Sequence, residues 1–223
     1  MKFHIAAVSL ILSPFAQADV AYQSVEEYVD SVTNRDTENY VCHVSSDYPK
    51  YRGCSLGSFY HQPGIVVGIL ESKSDSSSFV FVLAPKQNGQ YYLAEKSLPF
   101  SQLDGYAIGV EELSVESNGR FHIQFTSFTR GTAARPDSDI YRFKLIKGKW
   151  RVAEIDHRTL ARCDDGSIGD GDSYSANFLT GKLLIKKFKN CKAVATKKHW
   201  AKFPVFQLVD FVPLDSKYMV ISR

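Results

Sequence analysis

Asn118-Gly119-Arg120-Phe121-His122-Ile123-Gln124-Phe125-Thr126 carries the fold in miniature. Phe121, Ile123 and Phe125 alternate with His122, Gln124 and Thr126. Successive side chains of a strand point to opposite faces, so this segment reads as a strand with one buried apolar face. The Asn-Gly ahead of it marks a tight hairpin turn, because both residues tolerate the positive φ that such turns need.

The same device recurs along the chain. Asn88-Gly89 lies between Phe79-Val80-Phe81-Val82-Leu83 and Tyr91-Tyr92-Leu93. Lys147-Gly148 separates Tyr141, Phe143 and Leu145 from Trp150 and Val152. Thr180-Gly181 separates Phe178-Leu179 from Leu183-Leu184-Ile185. An apolar run from Ile65 to Leu70 precedes them all. The flanking residues differ from turn to turn, so these are hairpins of similar size and not copies of one repeat. Antiparallel hairpins in series bury their apolar faces only by stacking or closing. The expected class is therefore mainly β, as a sandwich, an irregular barrel or a small propeller-like array, with one N-terminal helix. Near the C-terminus, Phe203, Val205, Phe206, Leu208, Val209 and Phe211 surround Pro204 and Pro213, which reads as one or two short strands returning to the sheet.

The helix is expected to run from Ser24 to near Asn34. Val25, Tyr28, Val29 and Val32 follow the spacing of one buried helical face. Ser24 with Glu27 forms an S-x-x-E capping box. Residues 35–62 are irregular, punctuated by Pro49, Gly53 and Gly57.

Ahead of the helix, Lys2 precedes a mainly apolar run from Ile5 to Phe15, followed by Ala16-Gln17-Ala18. This is the anatomy of a secretory signal peptide with cleavage before Asp19. The run is shorter than the ~20 residues that span a bilayer, and Ser9, Ser13 and Pro14 interrupt it. No later apolar stretch is long enough to span one. Of the 223 residues, 18 belong to the signal, leaving 205, and one of the net +3 charges leaves with Lys2. A mature charge of +2 lacks the basic excess of a dedicated nucleic-acid binder. The organisation expected is a signal peptide over 1–18, a helix and disulfide-stapled irregular segment over 19–62, and an antiparallel β domain over 63–223. The location expected is periplasmic or secreted.

Cys42, Cys54, Cys163 and Cys191 make an even number in an exported chain, which reads as two disulfides. Three pairings are open, of which Cys42–Cys54 with Cys163–Cys191 is the simplest. Each bridge would stabilise by ~3 kcal/mol in the chain-entropy picture. The absence of any C-x-x-C weighs against zinc.

Four segments carry residues that chemistry could use. Asp164, Asp165, Asp170 and Asp172 are interspersed with Gly166, Gly169 and Gly171, an oxygen-rich wrapping loop of the kind calcium takes. The twelve-residue calcium-loop pattern is incomplete, and a solvated turn accounts for the same residues. From Lys182 to Lys202 there are eight lysines without an acid between them, interleaved with Phe188 and Trp200. Lys186, Lys187, Lys189 and Trp200 therefore form a candidate binding face for an anionic partner. Lysine on both faces of a strand also marks a sheet edge protected against aggregation. Arg130 and Arg135 lie in a loop longer than a hairpin needs, a candidate contact element. Glu154, Asp156 and His157 are the densest titratable cluster and the first candidates for acid–base roles. With Arg158, the two acids share one strand face opposite Ile155 and His157, so cross-strand ion pairs are the favoured explanation of them. His43, His61, His122 and His199 are scattered. The G-x-S-x-G elbow, H-E-x-x-H and the phosphate-binding glycine loop are all absent.

Ser175-Ala176-Asn177-Phe178-Leu179-Thr180-Gly181-Lys182, behind a Gly-Asp-Gly run and with Lys149-Trp150 upstream, resembles a segment of uncharacterised exported bacterial β-rich proteins. The resemblance covers about a fifth of the chain. It implies export and a β-rich fold, and it implies no activity or functional residue.

The expected function is an exported binding protein acting on a protein or an anionic envelope partner, as an inhibitor or immunity-type factor. The alternative is a secreted hydrolase of cell-envelope material using Glu154, Asp156 and His157. No cofactor is expected, with calcium at the aspartate loop as the alternative.

Overall fold

The computed structural model describes residues 20–33, 40–43, 57–58, 65–72, 74, 77–100, 106–116, 120–129, 137–159, 171–190 and 192–213. They form one helix and two antiparallel sheets. Of the arrangements the hairpins allowed, the sandwich is the one found.

Sheet 1 contains β1 (Ala21–Tyr22), β2 (Tyr40–His43), β3 (Gly57–Ser58), β4 (Val66–Ser72), β5 (Ser78–Pro85) and β6 (Tyr91–Lys96). The order is β1-β6-β5-β4-β2, and β3 also pairs with β4. Sheet 2 contains β7 (Tyr106–Glu116), β8 (Arg120–Thr129), β9 (Asp137–Ile146), β10 (Lys149–Thr159), β11 (Gly171–Asn177), β12 (Lys182–Lys189) and β13 (Lys192–Trp200). Its seven strands lie side by side in chain order, so each is a hairpin neighbour of the next. Lys147 and Gly148, Gly89 and Gly181 take positive φ in their turns. At the β11–β12 turn, the Asn177 side-chain oxygen accepts hydrogen bonds from the Leu179 and Thr180 amides.

The patterns of burial explain the layering. β4 and β5 are buried on both faces. Val67, Ile69, Val80 and Val82 pack against Phe121, Ile123, Phe125, Tyr141, Phe143 and Ile155 of sheet 2. The opposite face of sheet 1, with Val66, Leu70, Phe79, Phe81 and Leu83, is covered by helix α1 (Val25–Thr33) through Val25, Tyr28 and Val29. Ser24 Oγ accepts the Glu27 amide at 3.2 Å, and the Glu27 carboxylate accepts the Gln23 amide, one residue ahead of the usual capping-box donor. Glu95 of β6 reaches across the layers and accepts the Trp150 amide at 3.1 Å.

Gly68 sits opposite Phe81 across the β4–β5 ladder. A Cβ there would lie 2.3 Å from Phe81 Cζ. The Phe81 ring is fully buried and tilted against Tyr28 at 4.9 Å, so it has nowhere to retreat. Gly68→Ala is expected to cost about 1–3 kcal/mol by overpacking. Urea denaturation checks this, and Phe81→Leu in the same chain should recover part of the loss.

The C-terminal segment departs from the strands expected of it. Residues 201–206 form neither helix nor strand, and a single bridge pairs Gln207 with Arg151 before a 3-10 turn at Leu208–Asp210. Pro204 lacks the amide that a continuous ladder needs. The segment instead inserts Phe206, Leu208 and Phe211 between the sheets.

Candidate functional site

The register of sheet 2 decides which side chains meet. On the face turned away from sheet 1, His122, Arg142, Glu154, Asn177, Lys182 and Trp200 lie in one row across β8 to β13. Asp156, Ser175, Leu184 and Lys198 form the next row from β10 to β13, and Arg158, Ser173, Lys186 and Thr196 the one after.

Glu154 and Asp156 are engaged within this face. Arg142 Nη1 lies 2.5 Å from Asp156 Oδ2 and 4.0 Å from Glu154 Oε2. Arg120 lies 3.5 Å from Glu154, and Asn177 Nδ2 donates to Glu154 Oε1 at 2.8 Å. Two guanidiniums thus hold two carboxylates in a cross-strand ladder, which orders the face.

His157 projects to the other face of β10, so the three acid–base candidates are divided between two faces. There His157 Nδ1 lies 3.0 Å from Asp139 Oδ1 on β9, and the imidazole stacks on Tyr174 of β11 at 4.8 Å and 15°. Asp139 is 2% exposed, and its Oδ2 has no hydrogen-bond partner among the described residues. Burial works against a charged imidazole, but the Asp139 hydrogen bond and charge outweigh it, with help from Asp137 and Asp172. The net result holds the His157 pKa above its ordinary value. Asp139 was missed in the sequence. Its signal was an acid in phase with Tyr141 and Phe143 on a buried strand face.

The lysine-rich segment folds as the β12–β13 hairpin. β13 is the last strand of sheet 2 among the described residues and is exposed on both faces apart from the half-buried Ala195. Lys186, Lys198 and Trp200 share the outer face, whereas Lys187 and Lys197 share the inner one. Lysine does occupy both faces of this ribbon. Trp200 is 66% exposed, with Lys198 Nζ 5.5 Å from its ring centre. Among the described residues the carboxylate placed opposite these lysines is that of Asp172, across the ladder from Lys187.

Several sequence candidates fall elsewhere. Residues 1–18, Arg130, Arg135, Asp164, Asp165 and Asp170 lie outside the described residues, as do Cys54, Cys163 and Cys191 and hence both expected bridges. Asp172 is placed on β11, exposed, opposite Lys187. Among the described residues no three His, Cys, Asp or Glu side chains gather as metal ligands, and no helix is long and apolar enough to cross a membrane. Compared with known proteins, the chain matches no family model, no curated protein and no solved structure.

Proposed function

We propose that the protein is an exported binding protein that uses the β12–β13 ribbon to hold an anionic partner, acting outside the cytoplasm as an inhibitor or immunity-type factor. The observation that carries this reading is the ribbon's chemistry: eight lysines from Lys182 to Lys202, no acid among them, and an exposed Trp200. Lysines in such excess over carboxylates keep their attraction for an outside anion, and a tryptophan adds apolar area where a contact is desolvated. The partner is a protein with an acidic face or an acidic envelope component.

Charge reversal at Lys186, Lys187 and Lys189 tests the reading. Capture of the partner by the mature, oxidised protein should fall by about tenfold or more, since each basic residue near an anionic surface contributes on the order of 1 kcal/mol. Capture at the wild-type level would remove the ribbon from the account.

The hydrolase reading retains one supporting observation, the His157–Asp139 pair, in which a buried carboxylate orients an imidazole as in acid–base enzymes. Among the described residues no serine or cysteine is bonded to that imidazole. Its other two candidates, Glu154 and Asp156, are tied up by arginines on the far face.

A further inference from the structure

Along β11 the side chains on the outer face are Gly171, Ser173, Ser175 and Asn177, all small. The neighbouring strands carry larger ones: Asp156 and Arg158 on β10, and Leu184, Lys186 and Phe188 on β12. Strands lie about 4.8 Å apart, so two tall walls roughly 10 Å from each other flank a low floor. The result is a trough of about 330 Å³ over Ser173 and Ser175.

Its two ends differ. At the Asn177 end the carboxylates of Glu154 and Asp156 are neutralised by Arg142 and Arg120. Toward Gly171, Arg158 and Lys186 face each other across Ser173, both exposed. Among the described residues neither is paired with a carboxylate, and neither Ser173 nor Ser175 has a side-chain hydrogen-bond partner. A hydroxyl floor, two opposed cations and an apolar wall of Leu184 and Phe188 converge in one depression.

We infer that this trough is a binding site for an anionic sugar: one or two rings lying on Ser173 and Ser175, an apolar sugar face against Phe188, and a carboxylate or phosphate between Arg158 and Lys186. The volume sits at the lower end of small-molecule sites, which suits that ligand. Hydroxyls that donate and accept match a polyol better than they match a lipid tail. Guanidinium and ammonium groups across a gap match a single anion. Asp156 leaves one oxygen to accept a sugar hydroxyl, because Arg142 occupies the other. The inference rests on the reading of the chain as a binding protein but uses a different part of sheet 2 from most of the ribbon.

The test is an amide-resolved NMR titration of the mature protein with glucuronic acid, glucose 1-phosphate and glucose. The two anionic sugars are expected to shift amides of residues 171–175 and 184–188 with roughly millimolar affinity, and glucose to bind at least tenfold more weakly. Whichever anion binds tighter identifies the charge the site takes. Arg158→Gln should weaken binding about tenfold, and Ser173→Phe should abolish it by filling the floor. Equal binding of glucose, shifts confined to other strands, or binding unchanged in Arg158→Gln would overturn the site. Arg158→Gln and Ser173→Phe leave Lys187, Lys189 and Trp200 in place, so both should still capture the ribbon's partner. Loss of sugar binding with capture intact thus separates this inference from the proposed function.

Discussion

Replacing Phe211 by alanine is expected to lower the unfolding free energy by about 4 kcal/mol. Phe211 is fully buried and lies between the rings of Phe100, Phe125, Tyr141 and Phe143, at centroid distances of 6.2, 6.2, 5.0 and 5.0 Å. It comes from a segment that pairs with sheet 2 through little more than the Gln207 bridge and the Val152 amide bond to Phe206. Truncation therefore removes dispersion contacts on every side and unfastens the segment that supplies them. For a chain of this length the melting temperature should drop by roughly 8–16 °C. Phe211→Leu should cost less than half as much. Differential scanning calorimetry reads both, and a loss below about 1 kcal/mol for alanine would mean that the C-terminal plug carries no core energy.

The second large effect is expected at His157. Its removal strands the Asp139 carboxylate at 2% exposure with no other hydrogen-bond partner among the described residues. Breaking a buried pair by deleting one member costs about 3–5 kcal/mol. The His157 side chain retains 19% exposure, which places His157→Ala near the lower figure. The pair also gives stability a pH dependence of definite sign. The folded pKa of His157 lies above the unfolded value of about 6.5. Its contribution is therefore complete below about pH 6.5 and is lost as pH rises through the folded pKa. Asp139→Asn removes the carboxylate that raises that pKa, so its unfolding free energy should be flatter across the same window. Urea denaturation at a series of pH values checks this. If stability rose through that window in the wild type, the dyad would not be charged as described. If His157→Ala abolished hydrolysis of an envelope substrate while the protein stayed folded, the enzyme reading would replace the binding one.

Much of this architecture could be read from residues near one another in the chain. Alternation at Phe121, Ile123 and Phe125 fixed their shared face, and the turns at Gly89, Gly148 and Gly181 set where the chain reversed. The run of apolar residues in β4 and β5 signalled burial on both faces, but nothing local said that α1 would cover one side and sheet 2 the other. The His157–Asp139 pair was hidden for a more specific reason. From the Lys147-Gly148 turn, Lys149 pairs with Ile146, and continuing that register would set His157 opposite Ser138. A bulge between Val152 and Glu154 shifts the ladder by one residue and sets it opposite Asp139. Ala153 is the residue taken up there, fully buried, and its carbonyl accepts the Phe178 amide. A bulge of that kind has no strong sequence signature. The trough was in part visible as the alternation of Gly171, Ser173, Ser175 and Asn177. Its walls required the register of three strands.

The lysine ribbon was the candidate most legible in sequence, because it depends on composition more than on register. The role proposed for it rests on where the charge sits rather than on how much there is. The decisive measurement is capture of the anionic partner by two variants with the same change in net charge. One carries Lys186→Glu, Lys187→Glu and Lys189→Glu, and the other Lys144→Glu, Lys147→Glu and Lys149→Glu around the β9–β10 turn. The first is expected to lose capture about tenfold or more while the second stays near the wild type. Equal losses in both would show that net charge alone governs binding, and retention in the first would contradict the ribbon as the recognition element.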